Sequence, residues 1–152
     1  MGIFSGLFGK SIKIEHPFFG TMRFVGSKND ADGYFECRRH FAPKDDSIEI
    51  GIAGTAEGPT QQQIDFFTNI ENNYDAITAS ITPLIEDQFQ NFIDDFKIHH
   101  FKEEFEPVYL DLPACDTTPV VWEIAFESDH DRNHTFTLTM QDFTATDILI
   151  DG

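Results

Sequence analysis

Asp129, Asp131 and Asn133 place oxygen-bearing side chains at alternate positions, as the start of a calcium loop does. Such a loop also needs glycine at its sixth position and glutamate at its twelfth. Here those positions hold His134 and Met140, and strand-like segments flank the cluster. A polar hairpin turn is therefore the expectation. His130 and His134 stand four apart, and His99 adjoins His100. Histidines at i and i+4 converge on zinc when they sit on a helix, but on a turn leading into a strand the spacing has no such meaning. Neither a metal nor a cofactor is expected.

Nucleophilic catalysis requires an activated Ser, Cys or Thr beside a positioned base, and the chain carries no GxSxG elbow and no SxxK. Cys37 and Cys115 form no CxxC pair. Cys115 lies in a loop-like stretch beside Asp116, with no basic neighbour. That setting raises a thiol pKa and blunts it as a nucleophile, so a structural role is expected. The sequence leaves open whether the two cysteines pair.

Carboxylates adjoin at Asp45-Asp46, Asp94-Asp95 and Glu103-Glu104. Adjacent residues on a helix point in different directions, so these pairs do not make a catalytic dyad. Residues 51–58 are glycine-rich, but they lack the Walker lysine and do not match GxGxxG. A strand-to-helix connection is the simpler reading. Arg38 and Arg39 are the densest basic spot; alternation puts Arg39 on the side of Phe35, Cys37 and Phe41, where it would pair with an acid or cap a sheet edge.

The elements that position these residues follow from hydrophobic periodicity. Period-two alternation runs through Ile12 and Ile14, Met22 and Phe24, Phe35 to Phe41, and Ile48 to Ile52, which predicts four strands in an antiparallel meander. Pro17 and Gly20 mark the first turn, with Gly20 free to take positive φ. Thr60 followed by Gln63 is a capping box. Ile64, Phe67, Ile70, Tyr74, Ile77 and Ile81 then recur at helical spacing, and Phe89, Phe92, Ile93 and Phe96 extend the stripe. Pro83 either kinks one helix or opens a second with Thr82 as its N-cap. Residues 108–110 read as a brief strand, since Pro107, Pro113 and Pro119 argue against anything longer. Val120 to Phe126, Phe136 to Met140 and Ile148 to Ile150 close the chain as strands. The sum is a single α+β domain over 1–152, with strands in 12–53, a helical region at 60–96 and strands in 108–150. An antiparallel sheet of about six or seven strands, packed on a central helix or kinked helix pair, is the expected architecture.

The chain of 152 residues has 27 acids, 10 bases and a formal charge of −17. Such a charge repels nucleic-acid phosphates and anionic membrane surfaces. The bases concentrate before Asp45 and the acids after it. No stretch is long and apolar enough to suggest a membrane span, and a cytoplasmic location is expected. The apolar start, with Ile3, Phe4, Leu7 and Phe8, is a candidate for packing on the domain or against a second copy as a homo-oligomer.

The short apolar start ending in Lys10, the turn at residues 16–20, the strand bearing Trp122, the strand at residues 134–140 and the terminal Ile150-Asp151-Gly152 together resemble small uncharacterised bacterial α+β domains. Some of those occur in toxin–immunity neighbourhoods. The resemblance implies a non-catalytic, acidic, immunity-like binding protein and supplies no catalytic residues. Its expected partner is a basic protein, and the expected docking face is Glu86, Asp87, Gln90, Asp94 and Asp95 on the polar side of the second helical run. The rival is a small enzyme with a cleft between sheet and helix.

Overall fold

A computed structural model describes residues 12–26 and 33–152. The apolar start and its contact with a second copy lie outside the described residues, as do residues 27–32 of the polar loop.

Four strands open the fold: β1 (Ile12–His16), β2 (Gly20–Val25), β3 (Tyr34–Phe41) and β4 (Asp46–Ala53). They pair antiparallel in chain order. Gly20 has φ 77°, which a side chain would resist. The His16 ring accepts the N–H groups of Phe18 and Phe19 through Nδ1, closing the same turn. Met22, Phe24, Phe35, Cys37, Phe41, Ile48, Ile50 and Ile52 all face one buried side, as their alternation requires.

Helix α1 (Gln61–Asn72) begins on a complete capping box. Gln63 accepts the Thr60 N–H through Oε1 at 2.9 Å, and Thr60 Oγ1 accepts the Gln63 N–H. The Gln63 amide goes further and donates to the carbonyls of Ala53 and Pro113 at 2.6 and 2.9 Å. One buried side chain therefore ties the helix start to the end of β4 and to the segment at Pro113.

The helical region is two helices, and the break falls at Asn73, ten residues before Pro83. Helix α2 (Tyr74–Phe89) follows at once. Asn73 leaves helical geometry with φ −110° and ψ 17°, and its side-chain amide donates to the Asn69 carbonyl in competition with the backbone. The apolar stripe stays in phase, so Phe67, Ile70, Tyr74, Ile77 and Ile81 are all buried. Pro83 lies inside α2 and opens nothing; Thr82, one residue earlier, is helical and bonds the Thr78 carbonyl. The helix stops at Phe89 rather than 96, because the chain turns back and stacks Phe96 on Phe89 at 4.5 Å.

After the one-turn helix α3 (Phe101–Glu104) come β5 (Phe105–Leu112), β6 (Val121–Ser128), β7 (Asp131–Gln141) and β8 (Thr144–Asp151). The sheet has eight strands in the order β1 to β8, not six or seven, and it is open, with β1 and β8 at its edges. It is also mixed, because β4 and β5 pair in parallel across the helical crossover. The expected brief strand at 108–110 is a full central strand despite Pro107. The register shifts between Pro107 and Tyr109, and a bulge is a place where a missing N–H is tolerated.

The helices cover one face of the sheet, and that interface is filled mainly by Phe and Ile side chains. Ser80 on α2 accepts the Ala145 N–H and so anchors β8. Arg39 points inward, as its alternation predicts. Its guanidinium sits 4.0 Å from the Phe18 ring centroid and bonds the Phe18 carbonyl at 3.0 Å, with Glu71 at 3.8 Å. It clasps the first hairpin to α1.

Candidate functional site

The other sheet face carries the outward side chains of the strands. Cross-strand register assembles them into rows. In one row Arg23 faces Glu36, Glu36 faces Gly51, Gly51 faces Asp111, and Asp111 faces Glu123. In the next, Arg38 faces Glu49, Glu49 faces Tyr109, and Tyr109 faces Ala125. The two halves differ in charge. On β2 to β4 each acid has an arginine: Arg23 with Glu36, and Arg38 with Glu49 at 2.8 Å. On β5 and β6 like charges oppose each other, Asp111 against Glu123 and Glu106 against Glu127. Among the described residues Asp111, Glu123 and Glu127 have no ion-pair partner.

Between these pairs stands Tyr109, 40% exposed, beside Tyr34 at 40%; Val121 at 49% and Leu149 at 58% lie farther out on the same face. A side chain on Gly51 would collide with the Tyr109 hydroxyl, so glycine is what lets the phenol cross β4. Loss of water on the crowded face, then the Asp111 carboxylate, pushes the Tyr109 pKa to about 12. Desolvation first, and Glu123 second, raise the Asp111 carboxyl above its ordinary value. Sequence reasoning missed this cluster. Alternation marks Tyr109, Asp111 and Glu123 as outward, but only strand pairing brings them together.

Two of the depressions among the described residues lie at the end of the sheet near α3. One, of about 290 Å³, is lined by Glu103, Glu104, Glu106, Glu127, Asp129 and Arg132 together with Ser128. Ser128, His130 and Glu104 invite comparison with a catalytic triad, but the wiring differs. The Ser128 hydroxyl donates to the Glu104 carbonyl and accepts the His130 N–H, while the His130 ring bonds the Glu104 carboxylate at 2.8 Å. No ring nitrogen meets the hydroxyl, which is the contact such a mechanism needs. Burial alone would raise the Glu104 pKa, but the His100 N–H, the His130 ring and the His99 N–H outweigh it and hold it below the usual range. That direction suits a fixed charged acceptor and opposes a general acid.

The other depression, of about 420 Å³, runs between the β3–β4 turn and the start of β5, with Tyr74, Lys44 and Lys102 in its lining. Tyr74 is 3% exposed and its hydroxyl has no hydrogen-bond partner. Lys44 is committed to Glu106 at 2.8 Å and to the Pro107 carbonyl. The second depression is bordered by Tyr74 of α2 and by Glu106 and Pro107 of β5, so helix and strand both line it.

The docking residues foreseen on a helical face are dispersed. Asp87 is exposed on α2. Glu86 is mostly covered, accepts the Ile98 N–H and lies 3.8 Å from Lys97. Gln90 holds the Phe96 carbonyl. Asp94 and Asp95 lie past the helix, Asp95 at φ 58°. Beside them Phe92 is 62% and Ile93 39% exposed.

Asp129, Asp131 and Asn133 fall in the β6–β7 turn and the start of β7. There Asp129 meets Arg132 at 3.2 Å, and Asp131 bonds His134 and the Asn133 N–H. Among the described residues no three His, Cys, Asp or Glu side chains gather as a metal site. Both thiols are free. Burial first, with Glu49 next, raises Cys37 to about 11. Burial, then Asp116, raises Cys115 to about 12. Thiolate is scarce at both positions near neutral pH. No described helix is long and apolar enough to cross a membrane.

Compared with family models, curated proteins and solved structures, the chain matches none.

Proposed function

We propose that this chain is a non-catalytic, acidic, immunity-like binding protein. Its docking surface is the open sheet face of β5 to β8, and its partner is a basic protein surface. One observation carries the reading: on β5 and β6 two like-charged pairs, Asp111 with Glu123 and Glu106 with Glu127, flank an exposed tyrosine. Like charges placed directly opposite are destabilising. Lys44 already answers Glu106, so Asp111, Glu123 and Glu127 are the carboxylates that, among the described residues, an incoming cationic surface would compensate. Val121 and Leu149 add apolar area, and Tyr109 is of the residue class that dominates interface energetics.

A second location has its own support in the exposed Phe92 and Ile93 beside Asp87, Asp94 and Asp95. One experiment separates the two. Oligo-lysine is titrated into isotope-labelled protein at low and high salt, and amide shifts are followed by NMR. The variant Glu123→Gln/Glu127→Gln weakens association if the sheet face docks. The variant Asp87→Asn/Asp94→Asn/Asp95→Asn weakens it if the α2 end docks. The effect shrinks as salt shortens the Debye length. Shifts confined to the α2 end would refute the sheet-face reading, and uniform weak shifts everywhere would leave the acidity as a solubility device.

A further inference from the structure

The row through Gly51 is asymmetric. At one end Glu36 has its arginine, Arg23, on the neighbouring strand. At the other end Asp111 and Glu123 face each other with no cation among the described residues. Tyr109 fills the space between. Its phenol end lies over the Gly51 backbone, where an added Cβ would stand 3.5 Å from Asp111 Oδ1. Tyr109 is 40% exposed, so part of its ring stays open to solvent while its hydroxyl end and the Asp111 carboxylate share the space over Gly51. On β3 the Tyr34 hydroxyl donates to Glu36 Oε1 at 3.3 Å.

A flat aromatic surface bordered by two uncompensated carboxylates matches one side chain closely. A guanidinium is planar and weakly hydrated, stacks on aromatic faces and donates two parallel hydrogen bonds to a carboxylate. An ammonium is a compact, strongly hydrated point charge that gains less from the ring. We infer that Tyr109, Asp111 and Glu123 form an anchor for an arginine side chain of the basic partner, the ring stacking on the guanidinium and the carboxylates accepting its N–H groups. This rests on the docking reading above and adds a residue-level selectivity to it.

The test compares oligo-arginine with oligo-lysine of equal length, each titrated into isotope-labelled protein while the Gly51, Asp111 and Glu123 amides are followed. Oligo-arginine binds roughly fivefold tighter than oligo-lysine, the scale of a cation–π contact at an exposed site. Tyr109→Leu brings the ratio toward one, whereas Tyr109→Phe, which keeps the ring, preserves it. Asp111→Asn/Glu123→Gln lowers the affinity for both peptides, and more for oligo-arginine. Dispersed amide spectra for each variant establish that it is folded, and the Tyr109→Phe and Asp111→Asn/Glu123→Gln arms decide the matter if Tyr109→Leu is not. Equal affinity for the two peptides, with shifts still on the sheet face, would overturn the arginine anchor and leave the docking face standing. Shifts absent from the sheet face would overturn both.

Discussion

Glu106 on β5 and Glu127 on β6 stand directly opposite each other, and only Glu106 has a cation, Lys44 Nζ at 2.8 Å from the β3–β4 turn. Glu127 is therefore the uncompensated member. Glu127→Gln should stabilise the domain by about 0.2–1 kcal/mol, the scale of a cross-strand pair. Glu106→Gln should gain less, because it also gives up Lys44. Urea denaturation of both single variants and the double variant checks this, and a loss of stability in Glu127→Gln would contradict it. The same variant should bind oligo-lysine more weakly at low salt.

Gln63 joins three segments through one amide. Gln63→Leu keeps much of the volume but strands the Ala53 and Pro113 carbonyls and half of the capping box. A loss of about 2–4 kcal/mol is expected, from roughly 1–3 kcal/mol for each buried group left unpaired. Gln63→Glu should be no better, since its carboxylate would face the same two carbonyls. A Gln63→Leu unfolding curve that overlays the parent would show that the amide is not a clasp.

The lowered Glu104 pKa makes an acid-side prediction. A carboxyl bound more tightly as the anion in the folded state contributes stability fully above its unfolded value of about 4.3. That contribution fades as pH falls through the lower folded value. Glu104→Gln should be less stable at neutral pH, and its deficit should narrow as the solution is acidified below about pH 4. Thermal melts from neutral pH to acid test it. A deficit that stays constant with pH would show that the loss comes from packing rather than from charge.

Tyr74 carries a buried hydroxyl with no partner, and burial raises its pKa strongly. Removing an unpaired polar atom should cost nothing. Tyr74→Phe is expected to match the parent or exceed it by up to about 1 kcal/mol. Its ring still packs edge-on against Phe41 at 5.4 Å. A marked loss of stability would mean that the hydroxyl has a bonded partner in solution.

What could be known in advance was what depends on near neighbours in the chain. Alternation sorted Phe35 from Glu36 and Trp122 from Glu123, because successive strand side chains point to opposite faces whatever the partner strand is. Thr60 and Gln63 announced a helix start, since a capping box closes within one turn. The inward direction of Arg39 was legible for the same local reason. Its seat on Phe18 was not, because those residues are 21 apart in the chain. Pro107 read as a strand breaker, but pairing with β6 leaves a bulge in β5 beside it that accommodates it. Pro83 read as either a kink or the start of a second helix; it lies inside α2, and the break between helices falls at Asn73. The acidic face was sought on one helix, where neighbours in sequence are neighbours in space. The sheet-face cluster of Asp111 and Glu123, beside Tyr109 and over Gly51, draws its members from separate strands. Side-chain direction is a property of each strand alone, so the sequence determined which residues look outward. Adjacency on a sheet belongs to the pairing of strands remote in the chain, so only the tertiary structure decided which of them meet.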